Sequence, residues 1–228
     1  MIKKWEDLPK QMQNEKVRTY YEILQHKKGS LILKRSFDII MSLLGIVVIS
    51  PILLVLAICI KCDSKGPVFF RQERLTTYGK IFRIYKFRTM VVDADKKGSL
   101  VTAKQDARIT KIGAKLRKYR LDELPQLFNI LKGEMSFVGT RPEVKKYVDA
   151  YDDEMWATLL LPAGVTSIAS IFYKDEDEIL AKYPQDIDQA YIQHVLPEKM
   201  KYNYEYLKAF SIIKDIQICI QTVLAVFK

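Results

Sequence analysis

KRSFDIIMSLLGIVVISPILLVLAICIKCD, residues 34–63, is the stretch that decides the fold. No charged residue occurs between Asp38 and Lys61. As a straight helix, Ile39 to Ile60 would extend roughly 33 Å, enough to cross a bilayer core. The ordinary interpretation is one transmembrane anchor, and two features oppose it. Pro51 removes the hydrogen bond to the Val47 carbonyl and bends a helix sterically. Ser50 beside it can return its hydroxyl to a carbonyl one turn back. Each arm of a helix broken there is too short to span alone. Charge is the second feature. Lys27, Lys28, Lys34 and Arg35 precede the segment, and Lys61, Lys65, Arg71 and Arg74 follow it. A spanning helix concentrates Lys and Arg on its cytoplasmic side. Two basic flanks fit a re-entrant helix that enters and returns, and this is preferred to the span.

Upstream, the first thirty residues are polar, with Val17, Tyr20, Tyr21 and Leu24 at helical spacing. They predict a short amphipathic helix ended by Gly29. Glu6, Asp7 and Pro9 near the start do not fit a cleavable signal peptide. The chain of 228 residues therefore divides into an N-terminal segment (1–30), a membrane helix (31–61) and a third domain (62–228) that ends in the apolar C-terminal run. The formal charge of +10 calls for an anionic partner: nucleic acid, acidic lipid or a phosphorylated substrate. Cys59, Cys62 and Cys219 make an odd count without a disulfide framework, as in a reducing compartment.

Downstream, Val68–Arg71 and Lys80–Phe87 flank a turn-like Thr76-Thr77-Tyr78-Gly79 and read as a β-hairpin with basic residues along its second strand. Residues 93–107 are polar and read as loop. Helices are expected over 109–119, 122–131 and 147–161, and an acidic one near Asp175. The C-terminal run LKAFSIIKDIQICIQTVLAVFK has a wide apolar face interrupted by Lys214 and Asp215, as in an interfacial or docking helix. The fold class expected is α+β, mostly helical with a small β-hairpin.

Asp122 and Glu123 carry the chemical interest. The plainer explanation is capping: Asp122 accepting backbone N–H groups, Glu123 complementing the helix dipole, with Pro125 in the first turn. The same geometry suits catalysis. A carboxylate hydrogen-bonded at a helix N-terminus has a lowered pKa and stays ionised as a nucleophile. Its neighbour can hold Mg²⁺ against phosphate charge. Lys86, Arg88 and Arg74 are candidate phosphate or headgroup contacts; the plainer alternative is a solvated basic face or attraction to anionic lipid, to which function is preferred for Lys86 and Arg88 and equal for Arg74.

A series of motifs stands in order along the chain: Lys34-Arg35-x-Phe37-Asp38, the Ser50-Pro51 break, Gly66-Pro67-Val68-Phe69-Phe70-x-Gln72-x-Arg74, Tyr85-Lys86-Phe87-Arg88-Thr89-Met90, Leu121-Asp122-Glu123-Leu124-Pro125-Gln126-Leu127-Phe128-Asn129, and Met135-Ser136-Phe137-Val138-Gly139 with Arg141-Pro142. Together they resemble the bacterial sugar transferase family, the monotopic phosphoglycosyl transferases. The resemblance is dense from Lys34 to Pro142, and the chain looks like the small members, which lack a preceding helix bundle. It implies a monotopic protein on the cytoplasmic face of the bacterial inner membrane, held by a helix re-entrant at Ser50-Pro51. It implies transfer of a sugar 1-phosphate from a nucleotide-sugar, usually a UDP-sugar, to polyprenyl (undecaprenyl) phosphate. Asp122 would be the nucleophile, Glu123 its Mg²⁺-binding partner, and Arg141 the phosphate-binding arginine. Lys86, Arg88, Arg74 and Gln72, which lie within the matched motifs, are carried over as substrate-side candidates. The partners implied are nucleotide-sugar, polyprenyl phosphate and membrane lipid, without nucleic acid; a homodimer is left open.

Three departures stand out. Thr140 occupies the place of the first proline in the family's Pro-Arg-Pro motif, so a less rigid turn is expected. Pro162-Ala163-Gly164-Val165-Thr166-Ser167 lacks the family's arginine, so no donor sugar is carried over. Thr76 and Thr77 stand where a glycine is usual. The rival from another class is a non-catalytic, membrane-anchored basic protein binding acidic lipid or nucleic acid. It accounts for the charge but not for acidic residues at motif positions, and its binding would fall steeply with salt.

Overall fold

The computed structural model describes residues 2–94, 107–173, 176–183 and 185–226. Two 3-10 turns lead into α1 (Glu15–Gln25), where Asn14 accepts the Val17 N–H at 3.0 Å as the N-cap. Val17, Tyr20 and Leu24 enter the largest apolar cluster, beside Leu159, Leu160, Leu207 and Phe210. The N-terminal segment is thus part of the core. α1 ends at Gln25, not at Gly29, which lies inside α2 (Lys28–Asp63). At the break, the Lys27 ammonium donates to the carbonyls of Phe210 (2.8 Å) and Lys208 (3.2 Å), tertiary bonds that no local pattern announces.

α2 has 36 residues, about 54 Å of helix. It stays helical through Pro51, and Ser50 Oγ donates to the Val47 carbonyl at 2.8 Å, the acceptor that proline leaves without a partner. By length and composition it is able to cross a membrane. Its exposed side carries Ile40, Leu44, Val48, Leu54 and Ile58, an apolar surface of the kind that marks an interaction site.

Both ends of α2 are bound to the same folded body. At the first end, Lys34 Nζ reaches Asp215 Oδ2 (2.6 Å) and the Val138 carbonyl (2.7 Å). Arg35 donates to the carbonyls of Ile130 and Leu131 (2.7 and 2.8 Å). Asp38 Oδ1 accepts from Ser136 Oγ (3.0 Å) and the Phe137 N–H (3.1 Å). At the second end, Asp63 Oδ2 accepts the Ile112 N–H at 3.1 Å, and Arg88 donates to the carbonyls of Ser64 (2.8 Å) and Lys65.

The hairpin pairs β1 (Phe69–Thr76) with β2 (Lys80–Phe87), Phe69 opposite Phe87, around a turn with Tyr78 and Gly79 at positive φ. β1 runs five residues past Arg71: Gln72 and Arg74 line a cavity, while Leu75 and Thr76 are buried, Leu75 within the main apolar cluster. α3 (Lys111–Lys118) is capped by Thr110, a 3-10 turn spans Leu121–Gln126, and α4 (Leu127–Lys132) ends at Gly133 with φ 81°. β3 (Met135–Val138) lies parallel to β4 (Ala163–Thr166). Gly139 and Gly164 meet so closely that a Cβ on either would collide with the other strand's backbone.

The helix expected over 147–161 is broken into α5 (Lys145–Val148) and a 3-10 turn at Met155–Leu160. Asp152 starts the second piece by accepting the N–H groups of Glu154 and Met155 at 2.8 and 2.9 Å. Then come α6 (Ile168–Phe172), α7 (Glu176–Ala181), α8 (Ile187–Ala190), a π turn (Tyr191–Val195), α9 (Leu196–Lys208) and α10 (Ile212–Val226). The acidic helix is described from Glu176; Asp175 lies outside the described residues, as do 95–106 of the polar stretch. On α10, Asp215 does not interrupt the outer face. It points inward, 2% exposed, onto Lys34, leaving Ile213, Ile216, Ile220, Val223 and Leu224 outside.

Candidate active site

Arg120 has φ 56°, a left-handed conformation that costs a non-glycine residue about 1–2 kcal/mol. It turns the chain from α3 into the 3-10 turn that carries Asp122 and Glu123. No α-helix begins at Asp122, which lies inside a 3-10 turn whose N-cap is Arg120. The lowering expected for Asp122 is therefore reversed. Burial raises its pKa above the ordinary carboxylate value, with Lys86 and Arg117 pulling it back. At Glu123, burial would do the same, but Arg141 and Lys86 overcome it and hold this carboxyl at about 2. Lys86 Nζ donates to Glu123 Oε1 at 2.7 Å and Arg141 Nη2 to the same oxygen at 3.4 Å.

Each partner is fixed by its element. Asn129, fully buried in α4, accepts the Tyr85 N–H (2.8 Å) and donates to the Arg83 carbonyl (3.0 Å). This sets the register of β2 and so the position of Lys86. Arg141 leaves β3 through a turn tied to β4: Gly139 N–H donates to Thr166 (3.1 Å), and Gly164 N–H to the Thr140 carbonyl (2.9 Å). These backbone bonds brace the turn that lacks the proline. Arg74 donates to Gln72 Oε1 (2.6 and 3.1 Å) and to the Pro142 carbonyl (3.1 Å), so Gln72 orients Arg74. Burial lowers the Arg74 pKa against the pull of Glu143.

A cavity of about 1400 Å³ joins these groups, with Asp122, Glu123, Lys86, Arg141, Arg74 and Gln72 on its wall. Arg88 borders it too, but its guanidinium serves the end of α2. Ser50 and Pro51 lie on the exposed helix, apart from the cavity. Residues that the sequence did not single out also line it: Arg117, Arg120, Glu143, Tyr191 and Lys199. Glu143 adjoins a motif, whereas Tyr191 and Lys199 carry no local signal.

For Mg²⁺, no cluster of three or more His, Cys, Asp or Glu forms a ready cage among the described residues. Two adjacent carboxylates on one cavity wall nevertheless fit the usual manner of Mg²⁺ binding, one or two carboxylates completed by water and substrate phosphates.

A family model described as bacterial sugar transferase matches residues 29–228. The UDP-N-acetylgalactosamine-undecaprenyl-phosphate N-acetylgalactosaminephosphotransferase of Aeromonas hydrophila is 36% identical over 195 residues, 84% of this chain and 43% of that protein. The UDP-glucose:undecaprenyl-phosphate glucose-1-phosphate transferase of Klebsiella pneumoniae is 37% identical over 198 residues, 85% of this chain and 40% of that protein. The exopolysaccharide production protein PSS of Rhizobium leguminosarum bv. phaseoli is 52% identical over 112 residues, 49% of this chain and 56% of that protein. The chain spans about two fifths of the first two relatives. With the family model matched from residue 29 to the last residue, and with the acidic pair, its two cations and the helix clamp assembled as described, the chain belongs to the bacterial sugar transferase family.

Proposed function

We propose that this chain is a phosphoglycosyl transferase, moving a sugar 1-phosphate from a nucleoside diphosphate-sugar, on the likeness to its relatives a UDP-sugar, to polyprenyl (undecaprenyl) phosphate. UMP is released, and the product starts a bacterial polysaccharide or glycoconjugate. One observation carries this reading: Asp122 is a buried carboxylate on a large cavity, next to a Glu123 kept ionised by two cations.

An Asp122 carboxylate oxygen attacks the phosphorus bearing the sugar. The bond from that phosphorus to the bridging oxygen breaks, and UMP carries the electron pair away. A polyprenyl phosphate oxygen then attacks the same phosphorus and releases the Asp122 carboxylate. Two in-line displacements need a fixed nucleophile and charge compensation more than a proton shuttle. Lys86 and Arg141 are placed to balance phosphate charge, and Arg120 holds the turn that aims Asp122. Partial removal of water from Asp122 reduces the solvation it must shed on attack. Mg²⁺, held by Glu123 with Asp122 beside it, would neutralise the donor's diphosphate.

The same reading makes the protein monotopic, on the cytoplasmic face of the inner membrane. It is supported by α2 being bound at both ends to one folded body, which a crossing helix would place on opposite faces of the bilayer. The apolar outer face of α10 would rest on the interface. The test is UMP release from a UDP-sugar with polyprenyl phosphate and Mg²⁺. Asp122→Asn is expected to abolish release while staying in the membrane fraction; undiminished turnover would remove Asp122 from the nucleophile's role.

A further inference from the structure

Past Arg141 the cavity continues into polar side chains that the transfer chemistry leaves unused. Lys199 on α9 donates to Glu176 Oε2 at 2.8 Å and to Tyr191 OH at 3.3 Å. Tyr191 OH donates to Glu143 Oε1 at 2.6 Å. The Tyr147 ring stacks on Tyr191, centroids 4.5 Å apart, which fixes the phenol's direction. Each of these residues lines the cavity that holds Asp122. Arg141 lies within electrostatic reach of Glu123 and also of Glu143, Tyr191 and Glu176, so it joins the two groups.

The network is not closed by its own members. A carboxylate offers about four acceptor positions and an ammonium three donors. Among the described residues, Glu143 takes one side-chain hydrogen bond and Lys199 gives two. What is left over can accept from hydroxyl groups and donate to a hydroxyl or carbonyl oxygen. Glu143 and Glu176 would repel a phosphate. A nucleobase would need a free aromatic face, and Tyr147 and Tyr191 are each 4% exposed against one another. An isoprenoid chain would strand three charges without water. A hexose satisfies the set.

Resting on the transferase interpretation above, we infer that Glu143, Glu176 and Lys199, held by Tyr191, form the subsite that reads the hydroxyl and N-acyl groups of the donor's sugar. The test uses the full chain in detergent, with UMP release measured across UDP-hexoses and UDP-N-acetylhexosamines for wild type, Lys199→Met and Glu176→Gln. The KM for the preferred donor is expected to rise about tenfold, as for one lost hydrogen bond to a charged group. The ranking of donors changes with it, while inhibition by UMP, which carries no sugar, stays where it was. The Glu176 side chain is 32% exposed, so Glu176→Gln serves if Lys199→Met does not fold. An unchanged ranking overturns the inference. So does UMP affinity falling in step, which would mark a nucleotide contact, or a loss of kcat alone with a lower melting temperature, which would mark a scaffold. If wild type releases UMP from no UDP-sugar, the transferase assignment itself falls and takes the subsite with it.

Discussion

Asp122 and Glu123 are neighbours with opposite electrostatics, and the difference follows from which cations reach them. Lys86 and Arg141 both bond to Glu123, whereas among the described residues no cation bonds to Asp122, and Lys86 and Arg117 only partly offset its burial. Asp122 has a folded pKa above the ordinary 3.8. Its contribution to stability is therefore present at low pH and lost as pH rises through the raised value, so its ionised form is a burden at neutral pH. Glu123 is depressed from 4.5 to about 2, so its contribution is present above 4.5 and lost as pH falls through about 2. The two isosteric variants should shift melting in opposite directions at pH 7. Asp122→Asn is expected to melt above wild type. Glu123→Gln leaves Lys86 and Arg141 without their carboxylate and is expected to cost about 3 kcal/mol, roughly 6–12 °C. Thermal unfolding of both proteins in detergent checks this, and shifts of the same sign would contradict the charge assignment. The dyad was legible because it sits in a motif. Its electrostatics were not, because the α-helix expected at Asp122 is a 3-10 turn behind a strained Arg120.

At the scale of elements, local pattern succeeded where composition is one-sided and failed where tertiary bonds decide. The apolar run, the Ser50 bond across Pro51 and the hairpin turn were all readable from neighbouring residues. The start of α2 was not, and nor was the reach of Lys27 to the end of α9 beside it. Nor was the inward turn of Asp215, whose partner Lys34 is 181 positions away. That buried ion pair, with Tyr206 OH donating to Asp215 Oδ1 at 2.7 Å, bolts α10 to α2. Lys34→Met leaves a buried carboxylate without its cation and should destabilise by about 3 kcal/mol, while Lys34→Met with Asp215→Leu should recover most of the loss. A double variant no more stable than the single one would show that the pair does not act as a unit.

At the scale of the molecule, one folded body holds both ends of a long apolar helix and opens a polar cavity on its own wall. On the proposed function, that arrangement would bring a lipid-borne phosphate and a soluble nucleotide to the same carboxylate. Cysteines introduced as Lys3→Cys or Lys65→Cys, in a chain with Cys59, Cys62 and Cys219 replaced, are both expected to resist a membrane-impermeant thiol reagent in intact cells. Labelling of one alone would mean that α2 crosses the bilayer. The central claim, that the sugar phosphate passes through Asp122, has a more direct measurement. The protein is mixed with its sugar donor and Mg²⁺ without polyprenyl phosphate, quenched, digested and weighed by mass spectrometry. The expected result is the mass of one sugar phosphate on the peptide containing Asp122, discharged when the acceptor is added. An adduct on another residue, or full transfer activity with no adduct at any time, would contradict it.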